Sequence, residues 1–149
     1  MKATIIGTGS YIPEYILTNQ ELSTMVETDV EWIVTRTGIS ERRIQKSGDV
    51  ADMAVNAALK ALDNSGINSE DIDLIIAATS TPDYLFPNCS SIIQKNTGAI
   101  NAVCFDISAA CSGFIMALSA AKAYIEAGMY KKVLIVCSEK MSGITDWKD

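Results

Sequence analysis

The sequence contains no histidine. Histidine is the side chain whose ordinary pKa lies in the physiological range, so chemistry that needs an imidazole must draw it from elsewhere. Basic residues are also scarce. Twelve Lys and Arg stand against 18 Asp and Glu, a net charge of −6. Binding to a nucleic acid needs a basic face, so no nucleic-acid partner is expected. No apolar run approaches the roughly 18 residues of a membrane span, so no membrane partner is expected. The stretch Ala3 to Ile6 after Met1-Lys2 is too short for the apolar core of a signal peptide. The four cysteines, Cys89, Cys104, Cys111 and Cys137, include no C-x-x-C pair. That spacing predicts reduced thiols in a cytoplasmic protein, with no metal site and no disulfide frame.

What is present suits a folded domain. Hydrophobic residues make up 48% of 149. A chain of this length buries roughly 70% of its unfolded surface, enough for a substantial core. Lys2 to Gly9 reads as a first strand ending in Gly7-Thr-Gly9. This G-x-G is a poor dinucleotide signal, because Ile12 holds the third glycine position and Pro13 blocks an immediate helix. Thr18 or Asn19 caps a short helix, and Asp29 caps a second, Val30 to Arg36, stopped by Gly38. Ile39 to Ile44 reads as a strand. Asp49 caps a longer helix whose apolar face carries Met53, Ala54, Ala57, Ala58, Ala61 and Leu62, stopped by Gly66. Asp73 to Thr79 is a continuous apolar run, the pattern of a strand buried on both faces. A loop with two prolines, Ser80 to Pro87, leads to a helix from Asn88 to about Asn96. Lys131 to Ser138 is the last strand. Alternation of this kind predicts an α/β domain: a mixed, mainly parallel sheet of about five strands with helices on both faces.

The chain is organised around Ala102 to Gly128. Val103, Phe105 and Ile107 predict a strand; the small residues Ser108, Ala109 and Ala110 predict a turn; Ser112 to Ala127 predicts a largely buried helix. Cys111 falls at the first turn of that helix. The positive end of the macrodipole favours a thiolate there, and the small neighbours leave room for a substrate. The competing reading makes Cys111 an ordinary small hydrophobe.

Four stretches carry a resemblance that covers the whole chain. They are Ile-Gly-Thr-Gly-Ser-Tyr-Ile-Pro from Ile6 to Pro13, Glu-Trp-Ile-Val-Thr-Arg-Thr-Gly-Ile from Glu31 to Ile39, Phe86-Pro87 in its loop, and Asp-Ile-Ser-Ala-Ala-Cys-Ser-Gly-Phe from Asp106 to Phe114. Together they resemble β-ketoacyl-acyl-carrier-protein synthase III, the initiating condensing enzyme of the thiolase superfamily. The resemblance implies that Cys111 is the nucleophile that accepts an acyl group from acyl-coenzyme A, with its own N–H as half of an oxyanion hole. It also implies that Trp32 stacks on the adenine of coenzyme A and that Thr28 and Arg36 contact the nucleotide end. Phe86 would reach across a homodimer interface into the neighbour's acyl pocket. No cofactor is implied; coenzyme A enters as a thioester substrate. For Trp32 the competing reading is a core residue, for Arg36 a solvated charge, and for Phe86 an apolar anchor for its own loop.

Complete members of the resembled family run about twice this length. Their second half supplies a histidine and an asparagine that act on malonyl-acyl carrier protein, and most of the carrier docking surface. Residues 1–149 are therefore expected to form a single N-terminal thiolase-like domain that cannot complete condensation by itself. Two other functions compete: a related condensing enzyme, such as a hydroxymethylglutaryl-coenzyme A or secondary-metabolite synthase, and a non-catalytic half that binds coenzyme A or a partner chain.

Overall fold

The computed structural model describes residues 2–148. The chain divides into two compact units. One is the N-terminal segment through Tyr11 with Asp49–Glu139; the other is Ile12–Gly48 with the segment from Lys140 onward.

The larger unit is built on three parallel strands. β3 (Leu74–Ala78) lies between β4 (Val103–Ile107) and β5 (Val133–Cys137). Ile76 sits opposite Phe105 on one side and Ile135 on the other. Every residue of β3 is buried, because both faces are covered. Ile75 and Ala77 pack with α3 (Val50–Ser65) and α4 (Cys89–Thr97), through Ala54, Ala58, Leu62 and Ile93. Leu74 and Ile76 face the other way, onto Ala117 and Ala121 of α5 (Gly113–Glu126). The apolar run seen in the sequence is thus two alternating half-cores.

Carboxylates hold the helix starts. The first N–H groups of a helix lack intrahelical partners and form its positive end. Asp52 accepts a bond from the Asp49 N–H at 2.8 Å, and Asp83 accepts from the Val50 and Ala51 N–H groups at 2.8 Å each. Asp106 accepts from the Cys89 and Ser90 N–H groups at 2.8 and 2.9 Å, so β4 pins the start of α4.

The smaller unit holds an antiparallel pair, β1 (Tyr15–Thr18) with β2 (Glu41–Ile44), and the helices α1 (Asn19–Leu22) and α2 (Val30–Thr37). Asn19 is buried, donating to the Ile39 carbonyl at 2.8 Å and accepting from the Arg42 guanidinium at 2.8 Å.

The α/β class holds, with helices on both faces of a parallel sheet. The five strands do not share one sheet: three are parallel and two form a separate pair. The expected first strand needs correction. Ala3 to Ile6 is not a strand, because among the described residues no strand lies beside it to complete its ladder. The segment that follows runs along α3 instead: the Thr8 N–H donates to Asn64 at 3.0 Å, and Lys60 donates to the Ser10 carbonyl at 2.9 Å. β1 escapes sequence reading because four residues just after a proline carry almost no periodic signal. No helix among the described residues is long and apolar enough to cross a membrane.

Candidate active site

Three loops leave the carboxyl ends of the three parallel strands, the edge where open α/β sheets place their ligands. After β4, Ser108 and Ala109 lead into a single 3₁₀ turn, Ala110–Ser112, which runs directly into α5. Ala110 stands at φ 45°, in the left-handed region. A residue with a Cβ is disfavoured there by about 1–2 kcal/mol, so its neighbours must hold it. The Ser112 hydroxyl donates to the Ala109 carbonyl at 2.7 Å, and the Ala110 N–H donates to the Ser80 hydroxyl at 3.2 Å. Cys111, at the centre of the turn, is exposed. Gly113 is buried against β3, where an added Cβ would lie 3.1 Å from the Ala78 Cβ. Its small size serves helix–sheet contact.

The other three thiols differ in access and acidity. Cys89 is buried. Burial pushes its thiol up to about 12, and the Asp106 and Asp83 carboxylates add to the rise. Burial also raises Cys104, followed by Asp106. Cys137 is raised by partial burial and then by Glu139. Cys137 falls within the strand expected over Lys131 to Ser138; it is exposed, because it ends β5, a strand at the sheet edge that alternates between buried and open positions.

The loop after β3 is tied at both ends. Glu139 accepts from the Ser80 N–H at 2.6 Å and the Thr81 hydroxyl at 2.5 Å. Asp83 holds its middle to α3, and Asp106 holds the start of α4 beyond it. The tip between these ties stands free. Leu85 is 97% exposed and Phe86 89%, and the Phe86–Pro87 peptide is cis. Phe86 therefore does not anchor its own loop within this chain.

The remaining expected residues lie in the smaller unit. Asp29 caps α2, accepting from the Trp32 N–H at 2.8 Å, and Ile33 is buried beneath the helix. Trp32 points away from the core and is 56% exposed, so the core reading fails. Arg36, one turn on, brings its guanidinium carbon to 5.9 Å from the indole centroid. Asp29, Glu31, Trp32, Thr35 and Arg36 line a pocket of about 280 Å³. Thr28, half-buried just before the cap, is not among the lining residues.

Comparison with known proteins places the chain among named relatives. Residues 105–149, which include the Cys111 turn, match the family model for 3-oxoacyl-[acyl-carrier-protein] synthase III. The β-ketoacyl-[acyl-carrier-protein] synthase III of Caldanaerobacter subterraneus is 52% identical over 148 residues, 99% of this chain and 45% of that protein. The Clostridium acetobutylicum protein of the same name is 51% identical over 145 residues, 97% of this chain and 45% of its own length. The crystal structure of the Aquifex aeolicus synthase III superposes with a TM-score of 0.95 at 48% identity, over 97% of this chain and 47% of that one. The priming β-ketosynthase of the R1128 polyketide pathway gives 0.94 at 40% identity, over 97% of this chain and 44% of its own.

The chain belongs to the β-ketoacyl-[acyl-carrier-protein] synthase III family. It spans about 45% of the length of the curated synthase III relatives it matches, their N-terminal half. Within this synthase III half, Cys111 and Phe86 belong to the larger unit, and Thr28, Trp32 and Arg36 to the smaller. Sequence reasoning misses the residues that hold the site loops: Ser80, Asp83, Asp106 and Glu139. A signal existed for two of them. Ser80 and Glu139 are polar residues set just past the carboxyl ends of apolar strands, where α/β folds place function.

Proposed function

We propose that the chain is the N-terminal half of a condensing acyltransferase that initiates fatty-acid synthesis in the cytoplasm. It would join an acyl-coenzyme A primer to malonyl-acyl carrier protein through an acyl-cysteine at Cys111. The observation that carries the reading is the exposed Cys111 on a held strand-to-helix turn, within a chain that matches synthase III proteins along nearly all its length. The Cys111 sulfur attacks the thioester carbonyl, and the bond to the coenzyme A sulfur breaks. Coenzyme A leaves as the thiol, taking the proton Cys111 gives up. The Cys111 N–H supplies one donor to the oxyanion. Carbon dioxide then leaves the malonyl group, the resulting enolate attacks the acyl carbonyl, and Cys111 is released. A histidine and an asparagine assist that second step. The 149 residues hold no histidine, so on this reading the imidazole would be supplied from outside them.

Trp32 offers an open indole face for the adenine, with Arg36 beside it for phosphate and Thr28 at the entry to the helix. The freely projecting Phe86 suits a pocket in a second copy. β4 is an edge strand in this sheet, free to extend the ladder across a two-fold. The polyketide priming enzyme, at 40% identity, favours a second reading in which the same acyl-cysteine chemistry starts a secondary metabolite. An exposed cysteine in its motif speaks against a purely binding role.

The test is acyl transfer to the 149-residue chain. Incubation with acetyl-coenzyme A should acetylate Cys111 slowly and leave Cys137 unmodified, as read by peptide mass spectrometry. Acetylation elsewhere, or a β-ketoacyl product from malonyl-acyl carrier protein with this chain alone, would overturn the reading.

A further inference from the structure

Each of the three parallel strands ends in a residue or turn that bonds to its neighbour's. Past β5, Glu139 accepts from the Ser80 N–H at 2.6 Å and from the Thr79 and Thr81 hydroxyls at 3.4 and 2.5 Å. Past β3, the Ser80 hydroxyl accepts from the Ala110 N–H at 3.2 Å. Past β4, Ala110 holds φ 45° and is bonded covalently to Cys111. A continuous path therefore runs from a carboxylate on one loop, through one serine, to the strained residue before the thiol. The Thr81 N–H bonds to Thr79 at 3.1 Å, so the loop after β3 keeps its own turn, while the Ser80 hydroxyl reaches the cysteine turn.

We propose that Ser80 and Glu139 are positioning residues for Cys111: Glu139 fixes Ser80, and the Ser80 hydroxyl holds Ala110 in its left-handed conformation. The inference rests on Cys111 as the nucleophile. The physical requirement is plain. A left-handed alanine relaxes unless its surroundings over-determine it. The Ala110 N–H precedes α5 and takes no part in that helix, so Ser80 is the partner that satisfies it. Were the bond lost, the turn would relax and shift the thiol relative to the start of α5, the positive end of that helix.

Two measurements on the 149-residue chain test this. The first is hydrogen exchange of the Ala110 amide by NMR. In the unmodified chain the amide is protected; Ser80→Ala speeds its exchange about 3- to 10-fold, the net worth of one hydrogen bond. The second is the iodoacetamide alkylation rate at Cys111 by peptide mapping. Ser80→Ala slows it about threefold or more, Ser80→Thr restores it, and Glu139→Gln falls between. An unprotected Ala110 amide in the unmodified chain overturns the proposal. So does alkylation unchanged by Ser80→Ala, or slowed equally by Ser80→Thr. Alkylation of buried Cys89 would reveal a variant that has lost its fold; the unmodified chain and Glu139→Gln then decide. Failure of the nucleophile reading looks different: Cys111 would react no faster than Cys137 in the unmodified chain.

Discussion

Gly9 lies against the backbone of Ala61 so closely that a Cβ built on Gly9 falls 2.3 Å from the Ala61 nitrogen. The Ala57 carbonyl oxygen would be 2.4 Å away. This contact explains the second glycine of the G-x-G: the segment must pass over α3 with no side chain between. Gly9→Ala should destabilise the chain by about 1–3 kcal/mol, as overpacking against immobile backbone does. Gly66→Ala is the comparison. Gly66 has φ 67° and open space around it, so its substitution isolates the conformational cost, about 1–2 kcal/mol. Urea unfolding midpoints measure both.

Asp83 joins the Phe86 loop to the start of α3 by two bonds. Asp83→Ala should cost about 0.5–2 kcal/mol, the range for a lost helix cap. It should also free the loop tip. Chymotrypsin cleavage after Tyr84 or Leu85, both exposed, is therefore expected to quicken before the rest of the chain is cut, and equal cleavage rates in both proteins would refute the tie.

Alkylation at neutral pH should proceed in the order Cys111, Cys137, Cys104, Cys89. Exposure separates the first two from the others, and the raised thiols of Cys137, Cys104 and Cys89 slow them further. Timed iodoacetamide labelling with peptide mapping checks the order. The competitor for Cys111 is Cys137, since Cys89 is closed to reagent.

The Cys89 thiol links stability to alkaline pH. Its ordinary value is 9.0 and the fold raises it to about 12, so the native state holds the neutral thiol. The linked stability is fully present below 9.0 and is lost as pH rises toward about 12, where the unfolded chain has released a proton that the native chain retains. Compared with Cys89→Ala, the unmodified chain should show a steeper loss of stability above pH 9.0 and parallel behaviour below it. Denaturation curves at several pH values give the two slopes.

Trp32→Ala, made in a synthase carrying both halves, should raise KM for acyl-coenzyme A about 5- to 150-fold, equivalent to ~1–3 kcal/mol of base stacking. Little change in kcat is expected, because a contact remote from the reacting carbonyl contributes binding common to ground and transition states. A collapsed kcat with unchanged KM would place Trp32 in another role.

Local chemistry made much of this readable before the structure. Asp29 and Asp49 mark the starts of α2 and α3, and Gly38, Gly66 and Gly98 mark the ends of α2, α3 and α4 in left-handed backbone. The run Leu74–Ala78 announces a strand covered on both sides. The cysteine turn is readable because its small residues break two apolar segments. Long-range partnerships are not readable. Asp83 sits 33 residues from the helix it caps and Asp106 sits 17 from its own, so neither shows in any local window. Ala3 to Ile6 fails for the complementary reason: strand propensity is local, but a strand exists only where a second one lies beside it.

α5 buries Gly113, Ala117 and Ala121 and turns Phe114, Ile115 and Met116 outward, contrary to the largely buried helix its composition suggests. Its small residues meet the sheet while these three large ones meet solvent; Tyr124, further along, packs against Phe105 and Tyr130. In dilute buffer the charge of −6 keeps copies of the chain apart. At about 0.15 M salt that repulsion fades within roughly 8 Å, while the apolar side of α5 is unaffected. Colloidal behaviour is then expected to follow ionic strength: dispersal in low salt, and retention on hydrophobic-interaction resin through α5 in high salt.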